Sequence, residues 1–169
     1  RPEAKAAFRE ALAEAKRAGR KVALTLSDGF CVDRHRVEFL ELIRSGVDIL
    51  LANESEITSL YETQNFDTAA DHARRDTKLA VLTRSAKGSV ILADDQTISI
   101  PADKIEKVID TTGAGDLYAA GFLYGFTHGH SLETSGKLAS LAAAEVISHI
   151  GARPEANLDQ LARQRGLTS

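Results

Sequence analysis

A seven-residue stretch, Asp110-Thr111-Thr112-Gly113-Ala114-Gly115-Asp116, constrains this chain more than any other, because it joins an apolar run at 105–109 to a longer one at 117–126. The first run reads as a strand and the second as a helix over 117–127. Gly113 and Gly115 carry no Cβ, so the backbone can turn sharply between the two elements and a ligand can approach it closely. Peptide N–H groups at a helix start, backed by the positive end of its dipole, favour an anion, and phosphate is the obvious one. Asp116 falls in the first turn, where the dipole favours the ionised carboxylate. A carboxylate beside phosphate repels it unless it has chemistry to perform, and accepting the proton of an attacking hydroxyl is such chemistry. The bland reading is a glycine turn followed by an acidic residue that favours the helix start.

The longer segment DTTGAGDLYAAGF, 110–122, resembles the C-terminal signature of the PfkB (ribokinase-like) family of carbohydrate and nucleoside kinases. The resemblance extends through Ala142-Ala143-Ala144 to Gly151-Ala152 and back to Asn53-Glu54-Ser55-Glu56, so it covers most of the chain, and it is strongest for bacterial sugar kinase and adenosine kinase-like members. It implies a ribokinase-like three-layer α/β/α sandwich, of which 1–169 is the C-terminal, nucleotide-binding portion. It also implies that Asp116 is the catalytic base and that the amides of Gly113, Ala114 and Gly115 form an anion hole. The implied activity is ATP-dependent transfer of the γ-phosphoryl group to a hydroxyl of a sugar or nucleoside, adenosine among them.

Bulk properties fit this frame. At 169 residues the chain can bury one sizeable core, and 43% apolar residues with a net charge of −3 suit a globular protein without an electrostatic footprint for nucleic acid. No run approaches the ~18 apolar residues that span a bilayer. The single cysteine, Cys31, precludes an internal disulfide and suits a reducing cytoplasm. The chain opens on Arg1 and runs directly into a helix at 2–18, with no counterpart of the family's first strands, lid or substrate-binding aspartate. A C-terminal portion of a longer enzyme is therefore expected, with any homodimer formed through the absent lid.

In chain order, a strand at 21–27 ends at Asp28-Gly29, and Asp33 is expected to cap a helix that runs to Gly46. The unbroken Ile49-Leu50-Leu51 in a strand at 48–52 points to burial on both faces, as in a parallel sheet. Alternating strands and helices indicate an α/β layer architecture. Asn53 to Glu56 follows that strand at its carboxyl end, where open α/β sheets place ligands. The resemblance assigns Asn53 and Glu56 to phosphate and the hydration shell of Mg²⁺; the same spacing is a capping box, and the two roles coexist. A short helix lies between 65 and 76, its Arg74-Arg75 pair facing solvent. Strands at 79–83, 89–93 and 97–100, joined too tightly for crossover helices, form an antiparallel edge.

Thr83-Arg84-Ser85-Ala86-Lys87-Gly88 resembles the family's nucleotide loop, Thr-x-Gly-x-x-Gly, with Ser85 in place of the first glycine and Gly88 retaining the second. Thr83, Ser85 and Gly88 are thus assigned to nucleotide binding. Gly121 and Gly125, four apart, allow close packing on the sheet. Ser131 caps the next helix, where Ser140 and Ala143 align with the border of the adenine pocket. The loop 147–151, with Asp110 and Thr112, aligns with a monovalent-cation site, K⁺ in many members. His149, a lone histidine, reads as a packing or surface residue, and a short amphipathic helix closes the chain at 157–166. Two other function classes stand beside this reading: a catalytically inactive nucleotide-binding fragment lacking the acceptor half, and a dinucleotide-binding oxidoreductase. The second lacks an early Gly-x-Gly-x-x-Gly.

Overall fold

A computed structural model describes residues 2–168. The elements run α1 (Pro2–Arg17), β1 (Ala23–Thr25), α2 (Gly29–Gly46), β2 (Ile49–Asn53), α3 (Glu54–Leu60), α4 (Phe66–Asp76), β3 (Leu79–Thr83), β4 (Ser89–Ala93), β5 (Gln96–Ile100), α5 (Ala114–Thr127), α6 (Leu132–Val146) and α7 (Leu158–Gln164). The strands form one mixed sheet in the order β1-β2-β3-β4-β5, with β1 parallel to β2 in the register Ala23 to Ile49 and Thr25 to Leu51. Two compact units divide the chain, Arg1–Leu82 with Leu92–Thr97 and Thr83–Ile91 with Ile98–Ser169. No helix among the described residues is long and apolar enough to cross a membrane.

In the first unit, β2 is buried along Ile49 to Ala52, as its unbroken apolar run requires. Leu26, Val32, Ile43, Leu50, Ile57 and Leu60 have at most 1% exposure and form its core, each worth about 1.5–3 kcal/mol of burial. Asp33 does not cap α2. Ser27, at φ +74°, turns the chain so that Asp28 precedes the helix, and the Asp28 carboxylate accepts the Cys31 N–H at 2.8 Å. Asp33 lies within α2 instead, accepting hydrogen bonds from Arg36 at 3.0 Å and from the Ser59 hydroxyl. Arg74 also departs from the expected solvent-facing role: its guanidinium donates to the Asp94 and Gln96 carbonyls and to the Thr97 hydroxyl, pinning α4 to the β4–β5 turn. Arg75, which is exposed, does face outward.

In the second unit, the apolar run at 105–109 is not a strand. Among the described residues its backbone finds no neighbouring strand, and Val108 and Ile109 stay 52% and 46% exposed, so apolar character alone gives it no ladder to join. Gly121 and Gly125 face not the sheet but α6: a Cβ on Gly121 would lie 2.8 Å from the Ala139 Cα, and one on Gly125 2.7 Å from the Ser135 Oγ. The glycine that meets the sheet is Gly136 of α6, where a Cβ would reach within 2.6 Å of Ile100 and 2.8 Å of Ile91. Ser131 caps α6 as expected, accepting the Thr134 N–H at 3.0 Å.

Candidate active site

The glycine turn is built as its sequence demands. Gly113 is the residue before α5 and adopts φ +80°, a left-handed conformation that a side chain disfavours. A Cβ there would also lie 2.8 Å from the Ala152 Cβ and 3.0 Å from its Cα. The helix starts at Ala114, three residues before the expected 117, and its first ladder bond runs from the Leu117 N–H to the Gly113 carbonyl. Helix geometry leaves the Gly115 and Asp116 amides ahead of that ladder. The Ala114 N–H, one of the three amides expected to face an anion, donates to the Thr111 carbonyl at 3.2 Å. Gly115 and Asp116 are exposed, and no atom outside the glycine's own stretch of helix lies within 4 Å of a Cβ placed on Gly115.

Asp110 fixes the start of this turn. Its Oδ1 accepts the Thr112 N–H at 2.9 Å and the Thr112 hydroxyl at 2.7 Å, while Oδ2 accepts the Gly151 N–H at 3.0 Å. The Gly151 amide, then the Thr112 hydroxyl and amide, hold the carboxyl at about 2. The sequence-predicted partners Asp110, Thr112 and the 147–151 loop are thus brought together. Their donors are all oxygens, which suits a hard monovalent cation; among the described residues no group of three or more His, Cys, Asp or Glu side chains could hold a metal.

The loop after β3 is a single 3₁₀ turn at Ser85–Lys87. Ser85 sits at φ +51°, which explains physically why glycine suits that position. Gly88 is more tightly constrained: at φ +84°, a Cβ would lie 2.0 Å from the Ile100 carbonyl oxygen and 2.8 Å from the Ala102 nitrogen. The Gly88 carbonyl accepts the Arg84 N–H at 2.7 Å and closes the loop. Thr83 stands half-buried at its start. Ser140 meets the same 100–103 segment from α6, its buried hydroxyl accepting the Asp103 N–H at 2.9 Å and donating to the Pro101 carbonyl at 3.2 Å. Ala143 is half-buried one turn further along α6.

In the first unit, Asn53 and Glu56 form a complete capping box. The Asn53 Oδ1 accepts the Glu56 N–H at 2.8 Å, and the Glu56 carboxylate accepts the Asn53 N–H at 2.9 Å and its side-chain amide at 2.7 Å. Glu56 is only 6% exposed. Burial pushes its carboxyl upward, the Asn53 backbone hydrogen bond opposes this, and the nearby Asp28 carboxylate adds to the rise. With one acceptor position on each oxygen already used, the box fits a hydrated Mg²⁺ reached through water rather than a bare ion.

The sequence reading missed the roles of Asp28, Tyr118 and Glu145. Asp28 appeared only as a strand end, although it caps α2 and acts on Glu56. Tyr118 is buried in α5, its hydroxyl hydrogen-bonded to that of Ser89. Glu145 forms a close pair at 3.3 Å with His149 of the 147–151 loop. No local pattern signals the Tyr118 contact, whose partner lies on β4, or the backbone partners of Glu145 at 155–156.

Comparison with known proteins gives a consistent picture. The profile of the pfkB family carbohydrate kinase matches residues 2–158. A probable sugar kinase protein from Rhizobium etli CFN 42 has a similar structure, with a TM-score of 0.95 and 50% identity, covering 98% of this chain and 50% of that one. The adenosine kinase from Sinorhizobium meliloti gives a TM-score of 0.91 and 54% identity over 94% of this chain and 49% of its own. A nucleoside kinase from Methanocaldococcus jannaschii is 34% identical over 137 residues, 81% of this chain and 45% of that protein. The chain therefore spans about half the length of these relatives, and its fold is the ribokinase-like α/β fold that the sequence led us to expect.

Proposed function

Because the chain belongs to the pfkB family of carbohydrate kinases, we propose that it takes part in ATP-dependent phosphoryl transfer to a hydroxyl of a sugar or nucleoside. The observation that carries this reading is the left-handed Gly113 immediately before α5, with exposed amides and the exposed Asp116 in the first turn. Asp116 accepts the proton of the attacking hydroxyl. The Gly115 amide, with Gly113 and Ala114 shaping the turn, steadies the charge that develops on the moving phosphoryl group. Thr83, Ser85 and Gly88 line the nucleotide's path, and Ser140 and Ala143 border its base. Asn53 and Glu56 would hold Mg²⁺ through water, and Asp110 and Thr112 would help hold K⁺. When bound, Mg²⁺ neutralises charge on the phosphate oxygens.

Adenosine heads the acceptor candidates, supported by the likeness to an adenosine kinase at 54% identity. A cytoplasmic setting agrees with the single free cysteine. A second reading is nucleotide binding without turnover, for which the glycine turn before α5 and the loop after β3 would serve equally.

ADP release by the gene product, measured with a panel of sugars and nucleosides, tests the proposal and separates the two readings. Asp116→Asn is expected to lower turnover about 10²-fold or more while ATP affinity stays largely intact. Near-normal turnover by that variant overturns the role of Asp116. ATP binding by the wild-type protein without turnover on any acceptor would favour the second reading.

A further inference from the structure

Glu145 occupies the last turn of α6, where the negative end of the helix dipole opposes a carboxylate. Its side chain is nevertheless only 9% exposed. Oε1 accepts the Glu155 N–H at 2.9 Å and the Ala156 N–H at 2.8 Å, and it lies 3.3 Å from the His149 Nε2. His149 is itself only 15% exposed, and its Nδ1 lies 3.4 Å from the Ile150 carbonyl. Among the described residues neither the Glu145 Oε2 nor the His149 Nε2 has a hydrogen-bond partner, so the Glu145–His149 contact is an ion pair when the imidazole is protonated. A buried carboxylate at the unfavourable end of a helix costs stability, so what it holds in place matters.

What it holds is the loop that backs the glycine turn. At one end the Ile147 carbonyl accepts the Ile109 N–H at 2.8 Å, and in the middle the Gly151 N–H reaches Asp110. Ala152 follows, and it is the residue against which Gly113 packs with no room for a Cβ. Asp110 grips this loop from the turn's side, and Glu145 holds it from the other, through the 155–156 backbone N–H groups and its approach to His149. We infer that Glu145 is a positioning residue: by fixing Ala152 against Gly113 it sets the direction in which the first amides of α5 point. The geometry stands on these contacts alone; the consequence for turnover rests on the phosphoryl-transfer reading.

Amide hydrogen exchange in the gene product reads the positioning directly. In Glu145→Ala the amides of Ile109, Ala114 and Gly151 should exchange about tenfold or more faster, while those of Leu138 and Ala139 in the middle of α6 keep their protection. Glu145→Gln retains an acceptor oxygen and should restore most of the lost protection. In ADP release, Glu145→Ala should lower kcat about tenfold or more at an unchanged acceptor KM, a split that a general loss of folded protein would not produce. Wild-type exchange at the three amides in Glu145→Ala overturns the inference. Should that variant fail to fold, Glu145→Asp withdraws the carboxylate by one methylene; faster exchange at the three amides supports the inference and wild-type exchange overturns it. Absence of turnover in the wild-type protein would sink the proposed function and leave the exchange experiment to decide the role of Glu145.

Discussion

Gly121 and Gly115 lie in the same helix, and replacing each by alanine should move stability in opposite directions. Alanine in place of glycine gains up to about 1 kcal/mol of helix propensity at either position. At Gly121 the new methyl would sit 2.8 Å from the Ala139 Cα, 2.8 Å from the Leu138 carbonyl oxygen and 3.0 Å from the Ala139 nitrogen. All three are backbone atoms, so no side chain can swing aside and α5 must move away from α6 to reach ordinary contact. Overpacking of this kind costs about 1–3 kcal/mol, and the rigid obstacle puts Gly121 toward the upper end. The net effect is a loss of about 1–2 kcal/mol, or roughly 2–8 °C in Tm for a chain of this size. At Gly115 nothing outside its own stretch of helix lies within 4 Å, so the propensity gain stands unopposed. The same methyl lies in front of the proposed phosphate-facing amides, so Gly115→Ala should be more stable and less active. Urea unfolding followed by far-UV circular dichroism, with ADP release alongside, measures both effects. A Gly121→Ala protein as stable as wild type would show that α5 and α6 do not meet backbone to backbone, and the packing argument would fail.

Other expectations follow from the site. Asn53→Ala removes the cap of α3 and one of the two hydrogen bonds to the buried Glu56 carboxylate, leaving the one from the backbone N–H of residue 53, so a loss of about 1–3 kcal/mol is expected in chemical denaturation; a loss under about 0.5 kcal/mol would mean that the box is not holding the helix start. Asp110 has a lowered folded-state pKa, so its stabilising contribution is present above the unfolded value and is lost as the pH falls through about 2. A carboxyl NMR titration should accordingly find Asp110 still ionised at pH 3, and a midpoint near 4 would contradict the three-donor geometry. Ser85→Gly relieves a left-handed residue at φ +51° but adds chain entropy to the unfolded state, giving a net gain of up to about 1 kcal/mol by thermal melt. A lower Tm for that variant would show that the Ser85 side chain contributes more than its backbone costs.

The glycine turn was legible because its chemistry is local: two glycines, a carboxylate and an apolar helix announce their geometry within seven residues. The capping box at Asn53 and Glu56 was legible for the same reason, its partners being three positions apart. Misreadings arose where a neighbour decides the outcome. The 105–109 run has the composition of a strand and lacks an edge to pair with. Gly121 and Gly125 signalled a close approach, but their spacing could not say that α6, rather than the sheet, supplies the opposing surface. Asp33 lost the cap of α2 to Asp28 because a left-handed Ser27 turns the chain five residues earlier than the apolar periodicity suggests. Glu145 has the least local signal of all, since its partners at 155–156 are reached only after a loop has doubled back.

Asp110 and Gly151 are 41 positions apart, and their contact, with the Ile109 to Ile147 bond beside it, closes the α5–α6 hairpin at its mouth. Closing a loop of this length costs chain entropy, and pairing α5 with α6 first shortens the loop left to close, so these ties are expected to form after the two helices are in register. Assembly order follows: the glycine turn reaches its working shape at the end of hairpin formation, not at the beginning. In reverse, an opening confined to the mouth would dismantle the turn while α5 and α6 stay paired, so activity should fade on mild heating before the helices melt.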